Sequence, residues 1–228
     1  MSRSKSTLRL AALALSLALH GAAAVGAKAE LEELMSHDGL QKTSVKGIDL
    51  AYARPGAKLS TYKQVMLDPP QVSFSKSWDP KRSGSRLPMP ESDREQIRST
   101  VAKAVHEEFV RELQSKGGYQ IVTAAGAEVL RVRPDIANLI VTAPDIGSAA
   151  RSRSYVLSAG EMTLVAELID SETGQVQARL VDRREARSTG MMQLSSSVGN
   201  VAEARDIAAA WARILREAMD RANQIGGK

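Results

Sequence analysis

Cysteine is missing from all 228 residues, which excludes thiolate catalysis, disulfide staples, zinc fingers, iron–sulfur clusters and a lipidated N-terminal cysteine. Aromatic residues make up only 4% of the chain, too few for the stacking platforms of single-stranded nucleic-acid binders and meagre for a small-ligand carrier. Histidine occurs three times, at His20, His37 and His106. A metal site or a histidine-based triad would need neighbours for them, and the positions one helical turn from His106 are Ala102 and Val110. Glu107 and Glu108 suggest that His106 faces solvent. No Gly-x-Ser-x-Gly elbow accompanies the many serines, and no glycine-rich phosphate loop precedes a helix, since Gly117-Gly118 follows one as a cap.

What is present is a globular balance, 43% hydrophobic and 25% charged. The first nine residues carry Arg3, Lys5 and Arg9 and no acid; an apolar run follows from Leu10 to Leu19, then Ala22, Ala23, Ala24, Gly26 and Ala27. That order is the layout of a secretory signal peptide. Small residues at Val25-Gly26-Ala27 favour cleavage after Ala27, with Ala29 the alternative. About ten strongly apolar residues fall short of the roughly 20 that span a bilayer, so no stable membrane span is expected after cleavage. Loss of this segment would leave 28 basic against 26 acidic residues, a net charge of +2. The alkaline precursor is therefore poor evidence for nucleic-acid binding, and the pairs Arg151/Arg153 and Arg179/Arg183/Arg184 read as a solvated loop and an edge strand.

Three parts follow: a signal peptide at 1–27, an extended arm at 28–58, and one domain at 59–225. The arm reads as a short acidic helical turn and then irregular chain broken by Gly39, Gly47, Pro55 and Gly56. Tyr62 to Phe74 reads as a strand, a Pro69-Pro70 kink and a continuation; 75–90 is a Ser, Pro and Arg-rich loop holding Trp78. Ser92 and Glu95 form a capping box ahead of a helix whose stripe is Ile97, Val101, Val105, Phe109 and Leu113. Strands are expected at 119–123, 128–142, 162–169 and 175–182, the last two joined as a hairpin through Asp170 to Gly174. Ala143 to Gly160 and 186–199 read as connectors. Asn200 and Glu203 resemble a second capping box, starting a helix with Val201, Ala204, Ala208, Trp211, Leu215 and Met219 on one face. The order predicts an α+β fold, a mixed, largely antiparallel sheet with two long helices packed on it as a two-layer sandwich.

Asp38-Gly39-Leu40 and the run from Tyr52-Ala53-Arg54-Pro55-Gly56 to Leu67-Asp68-Pro69 resemble a bacterial envelope family catalogued as domain of unknown function 3313. Trp78, the helix ending near Gly118-Tyr119, the Asp170 to Gly174 turn and Trp211 extend the resemblance over most of residues 36–222. It implies a small exported protein of a Gram-negative bacterium with no established activity and no cofactor. Many members are lipoproteins; the missing cysteine departs from that pattern and favours a free periplasmic protein.

Asp68, at a strand end, is the carboxylate most open to a shifted pKa, though Asp-Pro is also an ordinary turn. Tyr52, Arg54 and Trp78 flank the same strand and with Asp68 mark a possible recognition surface; the alternative for Trp78 is packing over a core margin, the commoner place for an isolated loop tryptophan. The expected role is a non-enzymatic binding or assembly module for another envelope protein, using a sheet edge or the loop at 75–90. The rival is an enzyme on envelope carbohydrate or peptidoglycan, with Asp68 paired to Glu161 or Glu167 as acid and base.

Overall fold

A computed structural model describes residues 30–78, 90–142, 158–185 and 197–223. The proposed signal peptide, most of the loop at 75–90 and the pair Arg151/Arg153 lie outside these residues. Eight strands form one mixed sheet: β1 (Gln41–Thr43), β2 (Leu50–Ala53), β3 (Gln64–Leu67), β4 (Val72–Phe74), β5 (Gln120–Ile121), β6 (Val129–Thr142), β7 (Ser158–Asp170) and β8 (Val176–Glu185). Their order is β1-β2-β8-β7-β6-β3-β5, with β4 also paired to β6. The four neighbouring pairs from β1 to β6 are antiparallel, and β3, β4 and β5 add parallel pairs at the other side. Two helices, α1 (Glu91–Gln114) and α2 (Ser197–Asn223), pack on each other and on one face, called the front. The α+β sandwich read from the pattern of elements is thus the observed one.

β6 is the spine. Its first half pairs with β3 and its second half with β4, which are one strand interrupted at Pro69-Pro70. Asp68 N–H donates to Val132 O at 2.9 Å and Ile136 N–H to Gln71 O at 2.8 Å. Pro134, midway between them on the same side, therefore meets the partner strand where that strand has prolines too. A residue without an N–H is tolerated inside a 14-residue strand because no ladder bond is asked of it there.

The front core follows the periodicities. Ile97, Val101, Val105, Phe109 and Leu113 of α1 are all buried, as are Ala204, Ala208, Trp211, Ala212, Leu215 and Met219 of α2, against Leu130, Val132, Ile136, Leu164, Ala166 and Leu168. Neither capping box forms as expected. α1 starts at Glu91 behind Pro90, and Ser92 donates its hydroxyl to Asp93 inside the first turn. α2 starts at Ser197, which puts Asn200 within its first turn instead of at its N-cap. At the far end of α1, Lys116 and Gly117 turn left-handed and Tyr119 N–H bonds back to Leu113 O at 2.8 Å. Arg216 of α2 reaches into this turn and donates to Glu112 O and Ser115 O. A β-carbon on Gly118 would stand 2.2 Å from Leu113 O and 2.7 Å from Arg216 Nη1, which is why glycine occupies that position.

Two readings of charge need correcting. Glu108 does not face solvent: it is buried between the helices, where Arg205 donates to it at 2.9 Å and Arg111 pairs with it, and His106 beside it is half-buried. Arg179 is not on an edge strand, because β2 from the arm pairs with β8 and converts it to an interior strand. The stretch at 41–58, irregular by sequence, supplies β1 and β2. Tyr52 there sits opposite Arg179, and Ala51 opposite Leu180.

Candidate functional site

Alternation divides the sheet. Even-numbered residues of β6 up to Ile136, of β7 up to Leu168 and of β8 from Ala178 turn to the helices, with Leu139 and Val141 joining them beyond the bulge in β6, and the odd-numbered Arg131, Arg133, Asp135, Glu167 and Arg179 turn to the opposite, back face. Register places Arg133, Glu167, Arg179 and Tyr52 side by side across four strands. Opposite charges on directly paired residues attract, and the row closes into a ladder. Arg179 Nε donates to Glu167 Oε1 and Arg133 Nη1 to Glu167 Oε2, both at 2.9 Å. Arg133 Nε reaches Asp68 Oδ2 at 3.3 Å, and Arg131 holds both Asp68 oxygens at 2.9 Å.

The other end of the ladder fastens the N-terminal arm. A helical segment at residues 30–36 lies across the back face, burying Leu31 and Met35 with Leu40, Tyr52, Ala137 and Val165. It ends where Asp38 and Gly39 take φ of 67° and 77°, a left-handed exit that aspartate and glycine tolerate best. Arg179, 1% exposed, points its guanidinium at this end, donating to His37 O at 2.8 Å, Leu34 O at 3.3 Å and Asp38 Oδ2 at 2.6 Å. A cation at the carbonyl end of a helix satisfies groups that otherwise lack partners. Burial acts to raise the Asp38 carboxyl, but the hydrogen bonds and charges of Arg179 and His37 outweigh it and hold Asp38 below its ordinary 3.8. Asp135 goes the other way: burial raises it, the neighbouring Glu167 and Asp68 charges add to that, and the Gln71 amide and Arg133 only partly oppose.

The ladder bears on the carboxylate chemistry considered from sequence. Asp68 and Glu167 do come together, bridged by Arg133, whereas Glu161 is paired to Arg183 at 2.7 Å. Guanidinium N–H groups from Arg131, Arg133 and Arg179 occupy the oxygens of Asp68 and Glu167. An acid and a base for glycoside cleavage need a free cleft between them for the sugar, and here an arginine fills that space.

The four candidate recognition residues do not converge. Tyr52 is buried on the back face, and Arg54 donates to Val176 O at 3.0 Å. Asp68 belongs to the ladder. Trp78 is half-buried at the β4 side of the front: its Nε1 donates to Val141 O at 2.8 Å, its ring stacks on Phe74 at 4.6 Å, and Arg94 lies over it at 5.6 Å. Arg131 and Arg133 went unnoticed in the sequence, Arg179 was read only as part of an edge strand and Glu167 only as a partner for Asp68, although charges at every second position of otherwise apolar strands were a signal that could have joined them.

The front holds a feature of another kind. A cavity of about 270 Å³ lies between the sheet, the second half of α2 and the loop at 43–59. Val132, Leu164, Ala166, Leu168, Ala178 and Leu180 form its floor, Trp211, Ile214, Leu215 and Ala218 one wall, and Val45, Ile48, Ala57 and Leu59 the other. Alanines at 57, 166, 178 and 218 create the room that larger side chains would fill. Thr43 and Gln177 are the polar residues of its lining besides Trp211, whose indole N–H is already given to Asp182 at 2.6 Å, and Tyr52, whose ring lies on the back face. Among the described residues no Asp, Glu, His, Lys, Arg or Ser lines it.

Asp182 is the hinge post of this wall. Buried beneath Trp211, it also accepts from Arg184 Nε at 2.8 Å and from the Asp49 amide at 3.0 Å. Arg184 lies over the Trp211 ring at 5.8 Å and donates to Gly47 O at 3.1 Å, so one buried carboxylate ties β8, α2 and the cavity loop together. Among the described residues no group of three or more metal-ligating side chains is gathered, and no helix is long and apolar enough to cross a membrane.

The fold is an eight-stranded α+β sandwich with both long helices on one face and an N-terminal strap on the other. The chain belongs to the family of proteins of unknown function DUF3313, which it matches over residues 31–215. No curated protein matches it. Solved structures with some likeness include a Xanthomonas campestris protein of family DUF330, with 10% identity and a TM-score of 0.40 over 74% of this chain and 92% of that one. Another is the PelC dodecamer from Paraburkholderia phytofirmans, with 9% identity and a TM-score of 0.38 over 78% and 98%. A neuraminyllactose-binding hemagglutinin homolog from Helicobacter pylori shares 12% identity with a TM-score of 0.32 over 72% and 95%. Likeness at that level carries no argument about what this chain does.

Proposed function

We propose that the protein is a non-enzymatic binding module of the bacterial envelope, exported to the periplasm by a cleaved N-terminal signal segment. The observation that carries the reading is the contrast between its two polar and apolar features. The acidic residues Asp68 and Glu167 on the back face are held by arginines, while the accessible concavity on the front is lined mostly by apolar residues and, among the described residues, by no acidic or basic one. A surface of that kind supports recognition by shape and burial. Export is supported by Arg3, Lys5 and Arg9, the Leu10 to Leu19 run and the small residues before Ala27. A mature charge of only +2 agrees with a binding role that does not depend on nucleic acid.

Two measurements test this. Fractionation of cells carrying a C-terminally tagged chain should place it in the periplasm, with the N-terminal sequence of the purified protein beginning after Ala27 or Ala29. Crosslinking in the intact envelope followed by mass spectrometry should recover adducts with another envelope component. Cytoplasmic retention of the uncut chain, or recovery of the monomer alone where known complexes survive, would overturn the reading.

A further inference from the structure

We propose that the front cavity is a binding site for one aliphatic chain bearing an anionic head, a fatty acid or the acyl chain of an anionic lipid. The inference rests on the binding-module reading and names its ligand class. Size comes first: an apolar cavity of about 150 Å³ accommodates benzene's six carbons, so one of about 270 Å³ has room for a chain of roughly ten. Lining comes second. Aliphatic side chains dominate, and the principal aromatic partners are Phe109 and Trp211 at its inner end, which suits a flexible hydrocarbon better than a planar ring or a sugar.

The mouth sets the head. Thr43 and Ala57 are exposed and Val45, Ile48, Leu59, Ile214 and Ala218 half-buried, so the opening lies between the 43–59 loop and α2. Several charged residues sit next to lining residues of that loop in sequence. Lys42 pairs with Glu32 at 3.6 Å, while Asp49 accepts the Arg183 backbone amide at 2.9 Å and Arg54 donates to Val176 O, so that the carboxylate and the guanidinium, neither in an ion pair among the described residues, offset each other in the net charge. Lys46 and Lys58, beside Val45 and between Ala57 and Leu59, are exposed and have no ion-pair partner among the described residues. On the α2 side Arg213 reaches Glu112 only at 3.8 Å, and Glu217 is matched by Arg221 at 3.7 Å. The unmatched charge at the opening is positive. The loop is also built to stand close to α2: Gly47, at φ 82°, leaves room that a β-carbon would take 3.1 Å from Ile214 Cδ1.

The chain supplies its own reporter. Trp78 and Trp211 are its two tryptophans, and Trp211 lines the cavity, so a Trp78→Phe variant of the mature protein leaves a single emitting ring at the site. Titration with dodecanoate should change Trp211 emission saturably. Ala166→Leu, which fills the floor, and Ala218→Phe, which narrows the mouth on a half-buried helix position, should each weaken binding at least tenfold while the melting temperature shows both variants folded. Lys46→Glu combined with Lys58→Glu should weaken dodecanoate severalfold and leave dodecanol unchanged. Tighter binding of lauroyl-lysophosphatidylglycerol than of dodecanoate would make the source a lipid, and the reverse a free fatty acid. Absence of a saturable change with all three ligands, or undiminished affinity in both folded cavity variants, would overturn the site; equal loss for dodecanoate and dodecanol in the lysine variant would overturn the anionic head. None of those failures touches the envelope crosslinking result, which judges the binding-module reading separately.

Discussion

The two faces of one sheet solve the problem of covering β6, β7 and β8 in opposite ways. On the front, two long helices bury leucine, valine and isoleucine and leave a cavity; on the back, a short helical strap of residues 30–36 is held down by a ladder of alternating charges. The front can give up atoms and still be covered, because apolar contacts are many and non-directional. The back has few apolar contacts, and its arm stays only while each buried charge keeps its partner. Buried ion pairs add little net stability when complete and cost heavily when broken. What they contribute is register: Arg133, Glu167, Arg179 and the arm's Asp38 fit one alignment of β6, β7, β8 and the strap.

The largest effect should come from a charge placed in the front core. Leu67 is buried where β3 meets the helices, and burial of a leucine side chain is worth roughly 1.5 to 3 kcal/mol before any cost of desolvating a carboxylate. Leu67→Asp should abolish soluble expression, read as protein in the pellet after lysis. Soluble, folded Leu67→Asp would mean that the front core is far less decisive than its packing implies.

Next comes the centre of the ladder. Arg179→Ala leaves Glu167 buried without one of its two cations and frees the carbonyls at the end of the strap, and breaking such a pair typically costs about 3–5 kcal/mol. The expected result is a large fall in the urea midpoint together with new protease cleavage near residues 37–47. Replacing Arg179 by Met and Glu167 by Leu together should recover most of the midpoint but not the protection of the arm, because Asp38 and the helix-end carbonyls still lack their donor. Full protection in the double variant would show that the strap is held by Leu31 and Met35 alone.

Trp78→Ala should have a middle effect. The ring gives up a hydrogen bond to Val141 O, a stack on Phe74 and partial burial, about 2 kcal/mol together, which lowers the melting temperature of a chain this size by roughly 4–8 °C. An unchanged melt would return Trp78 to the recognition surface that the sequence suggested.

The elements were legible in the sequence wherever a period persisted long enough. The four-residue stripe of α1 and the hairpin around Asp170 to Gly174 needed nothing beyond themselves. β1 and β2 were not legible, because strands of three and four residues are too short to show alternation and exist only by pairing with β8. Glu108 misled for a related reason: a glutamate on a helix is normally solvated, and its burial depends on Arg205, 97 residues away in the chain. The ladder and the cavity are likewise products of register and of distant alanines. A lone Asp68 pointed to the right neighbourhood, while its arginines, Arg131 and Arg133, lie in β6, 63 and 65 residues further along the chain.

The smallest effect tests the back face through the one carboxyl there that is raised. Asp135 is lifted above 3.8 by burial and then by Glu167 and Asp68, so its native state holds a proton more readily than the unfolded chain does. The sign follows from linkage: such a group favours the fold fully below the unfolded pKa, and that contribution is lost as pH rises through the native value, leaving Asp135 a mild liability at neutral pH. Asp135→Asn removes the charge and keeps an oxygen to accept the Gln71 amide, now at 3.1 Å. Its melting temperature should exceed that of the parent at pH 7, by no more than the roughly 2–4 °C that about 1 kcal/mol produces, and the gain should shrink as pH falls below 3.8. Asp38 predicts the opposite slope in the same scan, since its lowered carboxyl holds the strap best above 3.8 and releases it on acidification. A variant no more stable than the parent at pH 7 would mean that Arg133 already neutralises Asp135, and that the ladder extends one residue further along β6 than its hydrogen bonds indicate.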